Sequence, residues 1–309
     1  MPPPRLAPDV AAAVASRFGA TPESIRAAPA QGVANHTYLL GDELVLRVAR
    51  PHPGLEADLR KEAQVIPAVT AAGIRTPEMV AFDEDRTLLD APFMVLRRAV
   101  GIAPQTPERH TGSPWARTYI ELGAELAKLH AAGLGPEVIL GVPVESDDDP
   151  RPGLARLVGA GYLGEETAAW VRGWLDRLDG RRPSSPAPRL VHGDASPTNL
   201  LADPDTLALN ALIDWGDATL TDPAVEFAEL PLRAVPYALE GYLGADADPD
   251  ERLDWAARIL WHHLVWAVFR LAADPEPGAP HWPAQRGNRL LEITRFYLEQ
   301  PSFPWDALR

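Results

Sequence analysis

Cysteine is absent from all 309 residues of the sequence. Its absence excludes disulfide bridges, thiolate zinc sites and a cysteine nucleophile, and it is consistent with a reducing cytoplasm. Long hydrophobic runs are also missing. The longest, around Leu264–Phe269, is flanked by His262, His263 and Arg270 and falls far short of the ~20 residues that span a bilayer. We therefore expect a soluble cytoplasmic protein without a membrane partner.

Positive charge is in deficit: 29 Lys and Arg residues stand against 43 Asp and Glu residues, a formal net charge of -14. This balance argues against a nucleic-acid partner and slightly favours a cationic one. The hydrophobic share of 46% and the charged share of 23% are ordinary for a folded protein, so a wholly disordered chain is excluded. The length suits one two-lobed enzyme or two modest domains.

The first hundred residues are rich in short β-branched and apolar runs. Val33–Leu40 and Leu44–Val48, separated by the turn signal Gly41-Asp42, predict an antiparallel hairpin. Apolar residues at helical spacing predict a helix over Leu55–Ala72, which Pro67 should kink or split. An amphipathic helix is expected within Met1–Ala20. Further strands are expected at Met79–Phe82, Leu88-Leu89 and Pro92–Leu96.

From Pro114 onward the pattern becomes helical. Helices are predicted over Trp115–Ala132 and Glu165–Leu178, and helices interrupted at Asp248-Pro249 are predicted between Ala224 and Leu298. Two short strands, Leu190-Val191 and Ala211–Ile213, flank the most polar compact segment of the chain. This segment is where we look for chemistry.

Asp194 and Asn199 lie five residues apart on a predicted loop, and Asp214 emerges from the next hairpin. Together they offer one proton acceptor and two oxygen ligands, the set that Mg²⁺-assisted phosphoryl transfer requires. Each residue alone could be a turn former, because Asp and Asn are common in turns. Their combination between two short apolar strands favours a functional role.

The segments His192–Asn199, with the pattern His-Gly-Asp-x-x-x-x-Asn, and Ile213–Asp217, followed by Asp222-Pro223 and Glu226, resemble the aminoglycoside phosphotransferase family. These enzymes are distant relatives of protein kinases and phosphorylate hydroxyls of small molecules. The resemblance implies an α+β, protein-kinase-like two-lobe fold. A small β-rich N-lobe would span residues 1–98, and a larger, mainly helical C-lobe that carries the catalytic and substrate-binding residues would span residues 99–309.

The same resemblance assigns roles to the polar segment. Asp194 would be the catalytic base, and Asn199 and Asp214 would hold Mg²⁺ against the phosphates of ATP or GTP. His192 would support the loop structurally. Asp222-Pro223 is interpreted as a helix N-cap followed by proline at the first helical position.

The resemblance extends to a nucleotide site in the first lobe. The segment Gln31–Tyr38 is similar to the family's phosphate-covering loop, and Arg47 stands where a lysine usually contacts the α- and β-phosphates. Glu62 would pair with Arg47. Leu96 would line the base pocket, while Arg97 and Ala99 would offer backbone hydrogen bonds. The full set of implied nucleotide-binding residues is Gly32, Asn35, His36, Arg47, Glu62, Leu96, Arg97 and Ala99.

The last eighty residues are expected to build most of the acceptor pocket. Acidic residues between Glu226 and Asp254 are expected to form mainly a solvated face. Core packing is the preferred interpretation of Trp261 and Trp266, with Trp255 and Phe269 at similar helical spacing. His262 and His263 are adjacent, so their side chains should point in different directions on a helix.

The leading hypothesis is a small-molecule O-phosphotransferase that moves the γ-phosphate of ATP or GTP to a hydroxyl of an antibiotic. An aminoglycoside-like acceptor is considered first, then a macrolide or a nucleoside antibiotic. A second hypothesis replaces the antibiotic with a metabolite of the choline, homoserine or sugar type. A third is a nucleotide-binding pseudokinase module, which would be expected to lack Asp194, Asn199 or Asp214. The oligomeric state is left open.

Overall fold

The computed structural model describes residues 5–29, 32–104, 114–145, 149–182, 187–273 and 288–309. Gln31, at the start of the expected phosphate-covering loop, lies outside these ranges. The first part of the chain contains two helices and five strands, in chain order α1 (Pro8–Phe18), β1 (Ile25–Ala27), β2 (Asn35–Leu40), β3 (Leu44–Ala49), α2 (Pro53–Ala71), β4 (Met79–Asp83) and β5 (Phe93–Arg97).

The five strands form one antiparallel sheet in the order β1-β2-β3-β5-β4. The predicted hairpin is present as β2 and β3, with Leu40 opposite Leu44. The strand expected at Leu88-Leu89 is wrong, because those residues lie in bends and β4 pairs directly with β5. Leu89 is nevertheless buried, so its apolar character reflects core packing and not strand pairing.

Helix α2 connects the sheet to the rest of the molecule. A kink or a split was predicted at Pro67; the helix runs through this residue without interruption, so the split is wrong. A proline inside a helix removes a backbone hydrogen bond, but Ile66 and Val69 beside it are buried in the main core and hold the helix in place. A second, smaller core lies between α1 and the sheet and is built from Val14, Tyr38, Leu40, Leu46, Val48, Leu89, Phe93 and Val95.

After β5 the chain is mainly helical, which confirms the α+β class. The remaining elements are α3 (Ala116–Ala131), α4 (Pro136–Gly141), α5 (Arg151–Gly159), α6 (Glu165–Asp179), β6 (Arg189–Val191), β7 (Leu200–Ala202), β8 (Leu209–Leu212), β9 (Thr219–Thr221), α7 (Val225–Ala228), α8 (Val235–Leu243), α9 (Pro249–Ala272) and α10 (Asn288–Leu298). In the part of the chain that the structure describes, no helix combines the length and apolar character needed to cross a membrane.

Helices α3 and α8 pack at unusually close range. A Cβ added to Gly123 of α3 would lie 1.9 Å from the carbonyl oxygen of Ala238, and one added to Gly241 of α8 would lie 1.9 Å from that of Ile120. Only glycine permits this approach at both positions. The contact fixes α3 against α8. Helix α3 also packs on β6 and β8, which belong to the two short strand pairs, β6 with β9 and β7 with β8, that carry the polar segment.

Candidate active site

The loop of residues 192–199, here called the catalytic loop, runs between β6 and β7. Gly193 has a φ of +85°, and a Cβ there would lie 2.0 Å from the carbonyl oxygen of Asp217. The loop therefore packs directly against residues 215–217. The Asn199 amide nitrogen donates to Asp194 Oδ2 at 2.7 Å and to the Asp194 carbonyl at 2.9 Å. Asn199 thus fixes both the main chain and the carboxylate of Asp194.

His192 is fully buried and anchors the loop from below. Its Nδ1 accepts a hydrogen bond from the Asp194 N–H at 3.2 Å, so its Nε2–H donates to the Ile213 carbonyl at 3.1 Å. Its own N–H donates to the Glu226 carboxylate. Burial lowers the pKa of His192, which keeps the ring neutral as this bonding pattern requires. The contacts are those of a structural support.

Asp214 follows β8 in the left-handed region, with φ 72° and ψ 74°. A non-glycine residue rarely adopts this conformation, and such strain concentrates at functional sites. The next residue holds it there: Trp215 is fully buried, and its Nε1–H donates to Thr76 Oγ1 at 2.9 Å. The strained backbone directs the Asp214 carboxylate toward Arg47, whose Nη2 lies 2.7 Å from Asp214 Oδ1.

Arg47 of β3 joins three parts of the chain. Besides Asp214, it forms an ion pair with Glu62 of α2, which confirms the predicted pairing. Gly216 lets these parts approach, because a Cβ at that position would lie 3.1 Å from Glu62 Oε1. One guanidinium therefore stands between two carboxyl groups that come from different parts of the chain.

Burial raises the pKa values of several carboxyls in this region. It raises the pKa of Asp194 to about 7, and the charge of Glu229 adds to the effect. Burial also raises the pKa of Glu62 to about 8 despite the opposing charge of Arg47. At Asp214 the same burial is outweighed by Arg47, which holds its pKa below the usual range. The Asp217 pKa is raised by burial, partly offset by Lys61.

The donor atoms fit Mg²⁺. Because the Asn199 amide nitrogen is bound to Asp194, its Oδ1 is the group left to accept, and Asp214 adds a carboxylate oxygen. Hard oxygen ligands of this kind, few in number and completed by substrate phosphates, are typical of magnesium sites. Among the described residues there is no cluster of three or more His, Cys, Asp or Glu side chains arranged to hold a metal alone.

The other residues expected to bind the nucleotide lie on β2 and β5 and in the segments next to these strands. Asn35 begins β2 and is buried, with its Oδ1 unpaired, and His36 follows it. The exposed Gly32 accepts a hydrogen bond from Arg50 at 3.1 Å. Leu96 is buried in the main core. Along β3, Asn35 lies opposite Ala49 and Leu96 lies opposite Val45, so these positions flank Arg47 on both sides.

The two backbone positions proposed at the end of β5 differ from each other. The Arg97 N–H donates to the Glu78 carbonyl at 2.8 Å, so a base contact from Arg97 would fall to its carbonyl. Ala99 is half-buried just beyond the strand.

The C-terminal acidic residues separate into two groups. Glu226 and Glu229 are buried, contrary to the expected solvated face, and Glu229 pairs with Arg289 at 2.9 Å. Sequence reasoning missed this because burial depends on which helix face meets the core. The others are exposed as predicted: Glu240, Asp246, Asp248, Asp250, Glu251 and Asp254.

The aromatic residues of α9 also divide. Trp261 is buried, which confirms core packing, whereas Trp266 is 38% exposed and Phe269 is 45% exposed, so the core prediction for Trp266 is wrong. The Arg289 guanidinium lies 5.4 Å from the centre of the Trp266 ring. Arg289 also binds Glu229, whose charge influences Asp194.

Asp222 is not the N-cap of the following helix, because α7 begins at Val225 with Ala224 at the N-cap position. Its carboxylate accepts from the Ala224 N–H at 2.9 Å, forms a buried ion pair with Arg258 and lies 3.4 Å from His262 Nε2. Sequence proximity to Pro223 suggested a cap, whereas long-range charge pairing decided the outcome. The neighbouring His263 contacts the Phe227 carbonyl instead, so the two histidines point in different directions as expected.

The family is established by comparison with known proteins. The model of the phosphotransferase enzyme family matches residues 26–261, more than half of the chain. The chain therefore belongs to the phosphotransferase enzyme family.

Two relatives illustrate the range of proteins that contain this sequence pattern. The chain is 29% identical over 191 residues to an aminoglycoside 3'-phosphotransferase of Streptomyces fradiae, a match that covers 60% of this chain and 69% of the relative. It is 26% identical over 219 residues to acyl-CoA dehydrogenase family member 10 of Mus musculus. That match covers 67% of this chain but only 20% of the mouse protein.

Solved structures confirm the protein-kinase-like fold. The GDP complex of wild-type aminoglycoside 2'-phosphotransferase-IIIa has a TM-score of 0.59 at 20% identity, covering 84% of this chain and 89% of that one. The macrolide 2'-phosphotransferase MphH of Brachybacterium faecium has 0.60 at 18%, covering 94% and 97%. A choline/ethanolamine kinase family protein of Mesorhizobium loti has 0.60 at 18%, covering 92% and 90%. Since these three names imply different acceptors, the fold alone does not select one.

Proposed function

We propose that this protein transfers the γ-phosphate of ATP or GTP to a hydroxyl of a small molecule, and that the acceptor is an antibiotic of the aminoglycoside type. The observation that carries the proposal is the fixed Asp194 carboxylate, held at 2.7 Å by Asn199 on a loop that His192 and Gly193 anchor. A base fixed in this way can accept the proton of an attacking hydroxyl without rearranging. A pseudokinase would not need it.

The nucleotide would lie between the two lobes, which we divide between residues 98 and 99. Arg47 would contact the α- and β-phosphates, with Glu62 orienting its guanidinium. Gly32, Asn35 and His36 would cover the phosphates. Leu96 would line the base pocket, with backbone groups of Arg97 and Ala99 contacting the base.

Asn199 and Asp214 would hold Mg²⁺, which offsets the phosphate charge when it is bound. The hydroxyl then attacks in line: a bond forms from its oxygen to the γ-phosphorus, the bond to the β-phosphate bridging oxygen breaks, and Asp194 takes the proton. The nucleoside diphosphate leaves with the bridging oxygen.

A cationic acceptor is supported by the charge of the site. Asp194, Asp217 and Glu229 influence one another electrostatically, so an amine-bearing substrate would be concentrated there. The exposed rings of Trp266 and Phe269 would favour a neutral, partly apolar acceptor instead, such as a macrolide, a nucleoside antibiotic or a metabolite. The relatives' names support the cationic case.

The test is a nucleotide-consumption screen of the purified protein against hydroxyl-bearing antibiotics and metabolites, with Asp194→Asn as the control for background hydrolysis. The kcat/KM of the best substrate is then measured at low and high ionic strength with saturating nucleotide. A polycation should show a KM that rises with salt, because exposed charges are screened over ~8–10 Å. A flat profile or an acceptor without an amine would refute the cationic acceptor, and no consumption with any acceptor would refute the phosphotransferase.

Magnesium dependence is tested separately. Asn199→Ala and Asp214→Asn should each raise the Mg²⁺ concentration required for half-maximal activity, because each removes or weakens one oxygen ligand. Asp205→Asn, an exposed carboxylate on the same stretch of chain, is the matched control. Titration curves that coincide with the wild-type curve would contradict the ligand roles.

A further inference from the structure

His130, near the C-terminal end of α3, faces the carboxylate that anchors the catalytic loop. His130 is 6% exposed and Glu226 is 0% exposed. Glu226 Oε1 accepts the His192 N–H, and His130 Nε2 lies 3.8 Å from the same oxygen. Within the described residues, neither His130 Nε2 nor Glu226 Oε2 has a hydrogen-bond partner. Buried polar groups without a hydrogen-bond partner are unfavourable, so a short movement that brings His130 Nε2 onto the Glu226 carboxylate is favourable.

The other ring nitrogen of His130 indicates where its hydrogen lies. His130 Nδ1 is 3.0 Å from the hydroxyl of Tyr242. Burial raises the pKa of Tyr242 to about 12, so this hydroxyl keeps its proton and can donate to Nδ1. The imidazole hydrogen is then on Nε2, directed at Glu226. The opposite tautomer would place a lone pair against a carboxylate, which is repulsive.

The surrounding residues keep both groups close to each other. His130 lies on α3 and Tyr242 on α8, the two helices brought together at Gly123 and Gly241. The Tyr242 ring also packs edge-on against Phe227 at 5.3 Å, and Phe227 is the neighbour of Glu226 in the chain. The helix pair and the anchoring carboxylate therefore form one packed unit.

We propose that His130 is a positioning residue for phosphoryl transfer. Its Nε2–H closes onto the Glu226 carboxylate as a second donor, at the ~2.9 Å of an ordinary N–H···O bond. When Glu226 is held in this way, its carboxylate fixes the His192 N–H that donates to it. The His192 ring in turn accepts from the Asp194 N–H and so fixes the main chain of Asp194. The α3–α8 helix pair thereby sets the position of the base. The activity readout of this inference rests on the proposed function.

Two substitutions at His130 distinguish the roles of its two ring nitrogens. The side-chain nitrogen of His130→Gln reaches the place of Nε2, whereas that of His130→Asn reaches only the place of Nδ1. We expect His130→Asn to lower kcat by roughly tenfold, with the KM values of nucleotide and acceptor unchanged, because the reacting groups are misplaced and not unbound. His130→Gln should recover most of the loss. Equal kcat in the two variants, or parallel changes in KM, would overturn the proposal.

Two measurements do not depend on catalysis. Amide hydrogen exchange at His192 should be faster in His130→Asn than in wild type and in His130→Gln, because the anchor of that N–H is loosened. Nitrogen-15 NMR of the imidazoles should show His130 Nε2 protonated in the wild-type protein. An unprotonated Nε2 overturns the proposal even if His130→Asn does not fold. Both results stand if no acceptor is found, so failure of this inference is distinguishable from failure of the proposed function.

Discussion

The two loops expected to meet the nucleotide differ in how they are held. In the catalytic loop, His192, Ser196 and Asn199 are buried, and Asp194 is fixed through both its main chain and its side chain. In the loop of residues 32–34 that precedes β2, here called the N-terminal loop, Gly32 and Val33 are exposed, Val33 by 88%.

The two loops therefore illustrate two kinds of site, one held by contacts within the protein and one that a ligand would complete. The catalytic loop is preorganised by the protein itself, so its groups need no reorganisation at the moment of reaction. The N-terminal loop faces solvent, and we expect the nucleotide phosphates to supply its missing contacts. Substitutions in the catalytic loop should therefore lower stability and activity whether or not nucleotide is bound. Substitutions in the N-terminal loop should matter only where the replaced group contacts phosphate.

The largest effect is expected at the base. Asp194→Asn should lower kcat by roughly 10²–10⁴, the usual range for loss of a general base, while nucleotide affinity stays nearly unchanged. Steady-state kinetics and calorimetry with the nucleotide measure the two quantities. Asp205→Asn serves as the exposed control. Full activity in Asp194→Asn would remove the base assignment.

A matched pair of glycines tests the comparison directly. Gly193→Ala requires alanine to adopt a positive φ, which costs about 1–2 kcal/mol. It also places a Cβ 2.0 Å from the Asp217 carbonyl oxygen. We expect lower stability to urea and a severe loss of activity. A Cβ at Gly32 meets nothing within 4 Å, so Gly32→Ala should leave stability within about 0.5 kcal/mol of wild type. Similar losses in both variants would show that the loops do not differ as described.

Arg47 lies on the N-terminal sheet and contacts Asp214 beside the catalytic loop. Arg47→Ala should weaken triphosphate binding by roughly 10–100-fold, because charge-assisted hydrogen bonds contribute about 1.5–3 kcal/mol. Binding of the free nucleoside should change little, since its contacts lie at the end of β5. Calorimetry compares the two ligands, with Arg26→Ala, an exposed ion pair on the same sheet, as control. An equal loss for nucleoside and triphosphate would place Arg47 outside the phosphate site.

The smallest effect is expected from the buried contacts of Asp222 with Arg258 and His262. Burial alone would raise the pKa of Asp222, but hydrogen bonds from His262 and Arg258 hold it well below the usual range. The pKa in the folded state is thus lower than the ~3.9 of the unfolded chain, so this stabilisation is present above about pH 4 and is lost as the pH falls further. Urea unfolding between pH 7 and pH 3 measures it. Asp222→Asn should flatten that dependence, and an unchanged slope would contradict the assignment.

Local sequence patterns were sufficient for much of this molecule. The β2–β3 hairpin, α2 and α3 were predicted from turn residues and from helical spacing, both of which act over a few residues. The grouping of Asp194, Asn199 and Asp214 followed from a compact motif, because the two segments belong to adjacent short strands. The pairing of Arg47 with Glu62 came from the family resemblance.

Tertiary structure decided which face of each element is buried and which distant residues meet. Helical spacing placed Trp261 and Trp266 in one pattern, yet only packing separated the buried ring from the exposed one. Strand β1 has three residues, which is too short to show an alternating pattern of apolar and polar side chains. Arg47 and Asp214 are 167 residues apart, and His130 and Glu226 lie on separate helices. Such contacts depend on how helices and strands pack together, which periodicity within one segment does not encode.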